Sequence, residues 1–217
     1  MEWASIFISV FALAVAATTL WITYFRKGEV RMTKPTLIFF GPDNSEENIS
    51  KVFLRTLLYS TSKRGTVLEN LYVRLRRGET QQNFSIWVYG ETNLARGSGL
   101  FVGPDGVATN HHFLTPTDVK SFAFDKGEYQ VDVFVKIVGE SDVKLLSTIE
   151  LKIEETEAAK LRETGYGIFF DWGPDSGRYQ AHIDQRPNSE MDPVLLLEAL
   201  HRGVRDLPQS PEEPAKD

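Results

Sequence analysis

Between Trp3 and Phe25 the chain carries 23 consecutive residues without a charge, WASIFISVFALAVAATTLWITYF. As a helix this run rises about 34 Å, enough to cross a hydrocarbon core of about 30 Å with some tilt. Aromatic residues stand at both ends, Trp3 on one side and Trp21, Tyr24 and Phe25 on the other, where interfacial anchors belong. A buried core helix would be shorter and amphipathic. Ala14-Val15-Ala16 has the small-x-small form of a signal-peptide cleavage site, but no basic residue precedes the run and TTLWITYF continues it past that site. The expectation is a retained single-pass transmembrane anchor over residues 1–27, placing the protein in a cell membrane with the lipid bilayer as its first partner. Arg26, Lys27, Arg31 and Lys34 follow the run and no cation precedes it. The positive-inside rule therefore puts the rest of the chain in the cytoplasm, the alternative being an extracytoplasmic domain.

The charge behind the anchor is unevenly spread. Residues 26–96 hold twelve Lys/Arg against seven Asp/Glu, whereas residues 97–217 hold twelve against twenty-two, within a net charge of −6. Such asymmetry suggests an oriented molecule. With no cysteine in the chain, disulfides and thiolate metal sites are excluded; a cytoplasmic location fits, and an oxidising one is not ruled out.

After a basic linker over 28–35 the pattern turns to strands. Apolar or alternating runs cover 36–40, 51–60, 67–77, 84–90, 99–102, 119–124, 129–138 and 143–153, with Gly139-Glu140-Ser141-Asp142 as a hairpin turn. Seven or eight strands joined by short turns predict a mostly β chain, a sandwich over 36–153. Residues 154–206 then read as a helix-hairpin-helix extension. A helix over 154–164 ends at Gly165, a hairpin over 166–184 folds about Gly173-Pro174-Asp175, and a second helix starts at Asp192-Pro193 and stops at Gly203. The charged, proline-rich residues 207–217 read as a disordered tail.

Asp125-Lys126-Gly127-Glu128-Tyr129-Gln130-Val131 resembles the approach to strand F of immunoglobulin domains, with Val131 in place of the cysteine. The resemblance covers roughly residues 36–153. It implies an immunoglobulin-like sandwich in which the Tyr129 hydroxyl bonds back to the chain, Trp87 lies on strand C, and Val73 faces Val131 where a disulfide usually lies.

A second resemblance is local. GSGLFVGPDGVATNHHFL, residues 97–114, is similar to the segment that places the catalytic histidine of trypsin-like serine proteases. It implies His112 as general base, Asp142 as its orienting acid and Ser176 as nucleophile. Three features oppose it. Only 34 residues separate Asp142 from Ser176, Arg178 follows Gly177 where the family has a second glycine, and Gly-Pro-Asp occurs three times, at 41–43, 103–105 and 173–175, each time fitting a turn. The catalytic set reads as incomplete, and the expectation is a chain that is not an enzyme.

Other constellations are thinner. His111 and His112, being adjacent on a strand, face opposite ways; with His182 and Asp184 they lack the spacing of a metal site. No motif calls for a cofactor, and no basic-aromatic interleaving calls for nucleic acid. Arg74, Arg76 and Arg77, with Lys63 and Arg64, form a candidate patch for anionic headgroups, though a solvated sheet face explains them as well. Trp172 and Tyr179 flank a turn that presents them as contact residues, and cross-strand packing accounts for them equally. The expected function is a non-enzymatic, membrane-tethered interaction or assembly module of bacterial style with a protein partner of unknown identity. The alternatives are a degenerate serine hydrolase using His112 and an anionic-lipid-associated module using the Arg74/Arg76 face.

Overall fold

A computed structural model describes residues 2–25, 28–43, 49–90, 95–116 and 122–185. The expected second helix at 192–203 and the tail at 207–217 lie outside the described residues. Helix α1 (Glu2–Leu20) is followed by a π turn at Trp21–Phe25, and the stretch Trp3–Thr23 is long and apolar enough to cross a membrane. Its hydroxyls are satisfied internally. Ser9, Thr18 and Thr19 donate to the carbonyls of Ser5, Ala14 and Val15 at 2.8–2.9 Å, so they add no unpaired polar group to an apolar surface.

Thirteen strands follow among the described residues: β1 (Val30–Met32), β2 (Leu37–Pro42), β3 (Ser50–Ser60), β4 (Thr66–Arg77), β5 (Thr80–Phe84), β6 (Ile86–Tyr89), β7 (Ala95–Arg96), β8 (Leu100–Val102), β9 (Val107–Leu114), β10 (Gly127–Ile137), β11 (Val143–Ile153), β12 (Tyr166–Gly173) and β13 (Arg178–Gln185). A short helix, α2 (Glu155–Leu161), sits between β11 and β12. The strands form two antiparallel sheets. The first runs β13-β12-β2-β3-β9-β6-β7, with β1 also on β3; the second runs β11-β10-β4-β5, with β8 also on β4. The result is a mostly β, sandwich-like fold.

Alternation explains the layering. Leu71, Val73 and Leu75 of β4, with Val131, Val133 and Val135 of β10, turn inward from the second sheet, while Leu54 and Leu58 of β3, Phe113 of β9 and Trp87 of β6 meet them from the first. Phe40 of β2 is an aromatic hub, its ring 5.2 Å from Phe124, 5.4 Å from Phe170 and 6.0 Å from Tyr129. The Tyr129 hydroxyl donates to the Asp125 carbonyl at 2.6 Å, locking the chain as it enters β10, and burial pushes that hydroxyl's pKa up to about 12.

Several expectations need correction. Val73 and Val131 do not face each other across the sandwich. They lie on adjacent strands of the second sheet, where Val73 pairs with Val133 and Val131 with Leu75. Trp87 lies on β6 in the first sheet, because a tight hairpin at Gly78-Glu79 turns β4 into β5 and shifts every later strand by one place in the order. The described part of the run 119–124 is not a strand. Its backbone is held by a side chain instead: Phe122 N–H donates to Ser50 Oγ at 2.7 Å, and Phe122 and Phe124 pack into the end of the core. Of the three Gly-Pro-Asp sites, 103–106 and 173–177 close turns. Pro42, in contrast, ends β2, and the Asp43 carboxylate accepts from Ile49 N–H at 3.0 Å.

The Tyr129 hydrogen bond makes a direct prediction. Tyr129→Phe keeps the ring contacts with Phe40 and removes only the hydroxyl, so it should cost about 1 kcal/mol of unfolding free energy. Chemical denaturation of the chain in detergent measures this, and an unchanged midpoint would show that the bond contributes no stability.

Candidate functional site

The two sheets differ in width on one side. The second sheet stops at β11, whereas the first continues past β2 into β12 and β13. The inner face of that hairpin therefore overhangs, and a groove of about 880 Å³ opens beneath it. One wall consists of six consecutive residues of β11, Ser147 through Lys152. Side chains alternate between faces along a strand, so consecutive residues can all line a groove only where the strand presents its edge. The opposite wall is the overhanging hairpin, with Phe170, Trp172, Tyr179 and Ala181.

Trp172 and Tyr179 are directly opposed across the hairpin, their rings 5.1 Å apart and edge to face. The Tyr179 hydroxyl donates to the Pro35 carbonyl at 2.7 Å, and burial raises its pKa. Lys34 Nζ sits 3.7 Å above the Trp172 ring. Held from both sides, Trp172 forms a rigid apolar wall. The rim near β10 is polar. Asp132 accepts from Gln130 at 3.0 Å and Thr148 at 2.7 Å, and pairs with Arg76 at 2.5 Å. Burial alone would raise the Asp132 carboxyl, but these bonds outweigh it and hold it below the usual carboxylate range.

Three of the four residues expected to form a contact surface, Trp172, Tyr179 and Arg76, thus line one groove. Arg74 lies along the outer face of the second sheet, donating to Asn83 Oδ1 at 3.2 Å, with its guanidinium 4.9 Å from the Phe134 ring centroid. Both arginines are engaged within the protein. Sequence reading missed the β11 edge, for nothing in VKLLSTIELKI distinguishes an edge strand from a central one.

The residues of the hydrolase alternative are dispersed. His112 of β9 lies in one cross-strand row with Phe53, Phe39, Phe169 and His182. From β9 to β12 is three interstrand spacings, about 14 Å, and from Phe169 to the turn bearing Ser176 is about 13 Å more along the strand, a separation of roughly 20 Å. Ser176 Oγ donates to Gly173 O inside its own turn. Asp142 belongs to the β10–β11 turn, in the other sheet and beside the start of β4. In the stretch that resembles a protease, Gly97 has a structural reason: a Cβ there would lie 2.0 Å from the Trp87 ring. His182 is four spacings from His112, roughly 19 Å. It pairs with Asp171 at 3.1 Å, while Asp184 lies opposite Gly167. These groups share no metal geometry.

His111 faces the core. Trp87 Nε1–H donates to its Nδ1 at 3.2 Å, which leaves the proton on Nε2, and that atom has no hydrogen-bond partner among the described residues. Burial, and then the charge of neighbouring His112, lower its pKa from 6.5 to about 4.

The fold and groove define a two-sheet β-sandwich carried behind a helix able to cross a membrane. No protein family and no curated protein matches the chain. Among solved structures it is similar to a family 123 glycoside hydrolase from Clostridium perfringens, studied for the details of glycolipid glycan hydrolysis, at 6% identity and a TM-score of 0.34. The likeness covers 60% of this chain, which spans only 27% of that one. The expectation of a chain without enzymatic activity is not supported: the solved structure just named is a hydrolase, and at its TM-score the likeness carries no argument on activity, fold, substrate or mechanism.

The His111 geometry predicts an acid-sensitive fold. With a folded pKa of about 4 against an ordinary 6.5, the unfolded chain binds a proton in that window that the folded chain refuses. Stability should therefore fall as pH drops from 6.5 to 4, by up to about 3 kcal/mol. In His111→Gln, whose amide oxygen can still accept from Trp87, that part of the decline should vanish from thermal unfolding curves. An unchanged decline would assign it to carboxylates such as Asp132.

Proposed function

We propose that this chain is a membrane-tethered assembly module that takes up an extended segment of a protein partner along the free edge of β11. The observation that carries this reading is the wall of six consecutive β11 residues facing an aromatic wall across an open groove. An edge strand offers unpaired N–H and C=O groups, the template for strand addition. A segment bonded there covers the overhang of β12 and β13 and meets Trp172, an aromatic of the kind that dominates binding energy at interfaces.

The strand order supports the immunoglobulin-like reading. Lettering β2, β3, β4, β5, β6, β9, β10 and β11 as A, B, C, C′, D, E, F and G gives A-B-E-D in one sheet and C′-C-F-G in the other. The Tyr129–Asp125 bond at the start of F supports it too. The apolar length of α1 supports membrane anchoring, and the cations after it support a cytoplasmic sandwich.

A photo-crosslinking residue in place of Glu150, in native membranes, tests the module. It should yield a protein adduct that the same residue at Asn83, on the other edge of the second sheet, does not. Trp172→Ala should cut the adduct at least tenfold, the loss expected on truncating an aromatic anchor. Equal adducts at both edges, or an adduct formed only with the chain's own residues, would overturn the reading.

A further inference from the structure

Exposed apolar side chains on this sandwich are not scattered. Among the described residues outside α1 and its π turn, the large exposed hydrophobics are Val67, Phe101, Val138, Val143 and Leu145, with Phe101, Val138 and Leu145 each more than half exposed. All five lie toward one end of the second sheet. Val67 is paired directly with Phe101, Val138 N–H donates to the Val67 carbonyl at 3.1 Å, and Val143 and Leu145 open β11 just beyond that turn. Leu145 is opposed to Phe134, whose ring stacks on Tyr72 at 4.9 Å, so the patch continues along the outer face. Single exposed hydrophobics need no explanation; a contiguous set does.

This is also the end to which the anchor is tied. Glu29 N–H donates to Thr61 Oγ1 at 2.8 Å, Thr61 N–H donates to the Glu29 carbonyl at 2.9 Å, and Val30 pairs with Ser60. From Phe25, the end of the π turn, to Glu29 are four residue steps, which reach at most about 14 Å. A headgroup layer of roughly 5–8 Å occupies about half of that reach. The β3–β4 turn therefore cannot leave the membrane surface. Around it stand Arg31, Lys63, Arg64, Lys136 and Lys144 and the acids Glu29, Glu69, Asp105, Glu140 and Asp142, so the charge at this end is balanced. Lys144 pairs with Glu140 at 2.6 Å, and Lys136 Nζ donates to the Ser141 carbonyl.

We propose that this end is a second membrane contact: Phe101, Val67, Val138, Val143 and Leu145 seat in the interface of the bilayer that the anchor crosses. Peripheral apolar faces insert to a depth of about 5–10 Å, and the short tether keeps this patch at the surface. The contact is made by apolar side chains, unlike the Arg74/Arg76 face. It fixes the sandwich against the surface instead of leaving it to swing on its tether. The proposal rests on the anchoring of α1 and gives it a consequence for the domain.

Because the chain has no cysteine, single-cysteine variants of the full chain can be labelled specifically with a fluorophore in nanodiscs containing phosphatidylglycerol. Labels at Phe101→Cys and Leu145→Cys should be quenched by nitroxide carried near the headgroup end of the acyl chain, to at least half the extent seen at Val15→Cys inside α1. A label at Glu79→Cys, on the turn at the far end of β4, should not be quenched. Quenching at 101 and 145 no greater than at Glu79 overturns the proposal while leaving the anchor intact. Shielding of both labels from aqueous iodide without lipid quenching also overturns it, assigning the patch to a protein. An unquenched Val15 label overturns the anchor and this contact together.

Discussion

Antiparallel pairing of β12 with β2, from Ile168–Phe40 to Asp171–Leu37, makes the first sheet wider than the second. Through that pairing, a hairpin distant in sequence becomes two further strands of the sheet that starts the sandwich. Ile168 and Phe170 then turn into the core, and Phe170 closes against Phe40. Because no described strand extends the second sheet past β11, the next inward positions, Trp172 and Tyr179, have no opposing sheet among the described residues to cover them. The groove is the space left by two sheets of unequal breadth, and its aromatic wall is the part of the core face that the core does not reach.

The tether imposes a second constraint. A helix of membrane length is followed within a few residues by β1, which is hydrogen-bonded into the first sheet beside β3. The linker is thus part of the domain, and one end of the sandwich stays close to the helix by covalent geometry alone. The strands run roughly along the axis joining the two ends, so the apolar patch near the β3–β4 turn lies near the helix and the β4–β5 turn lies far from it. The β11 edge between Ser147 and Lys152 opens to the side, clear of the β3–β4 turn.

Polar groups inside the fold are few and placed with consequence. His111 is kept neutral by burial and accepts the indole proton of Trp87, linking β6 to β9 through side chains as well as backbone. Asp132 stays ionised because three donors surround it, which ties β4, β10 and β11 together on the outer face. Each group tolerates its site in one protonation state only, so acid strains the sandwich at both.

Local pattern was enough to read a helix long and apolar enough to cross a membrane, the long strands, the hairpins at 139–142 and 173–177, and the Tyr129 bond. An uncharged run, a two-residue alternation and a Gly-x-Tyr approach are each determined by neighbours in the chain. Local pattern failed at 122–124, the described part of an expected strand, where alternation of Phe122 and Phe124 matched a strand but no described strand pairs with it. It failed again at Trp87, which the unread turn at Gly78-Glu79 moved to the other sheet, and at Val73, whose strand β4 pairs directly with β10 instead of facing it across the sandwich. His112, Asp142 and Ser176 looked like a set in sequence; strand register separates them, since residues fall on one row only when their strands pair in that register. The β11 edge, the overhang and the gathering of Phe101, Val67, Val138, Val143 and Leu145 at the tethered end exist only in the tertiary structure. Each depends on which strands pair and where a sheet stops, and no stretch of sequence encodes that by itself.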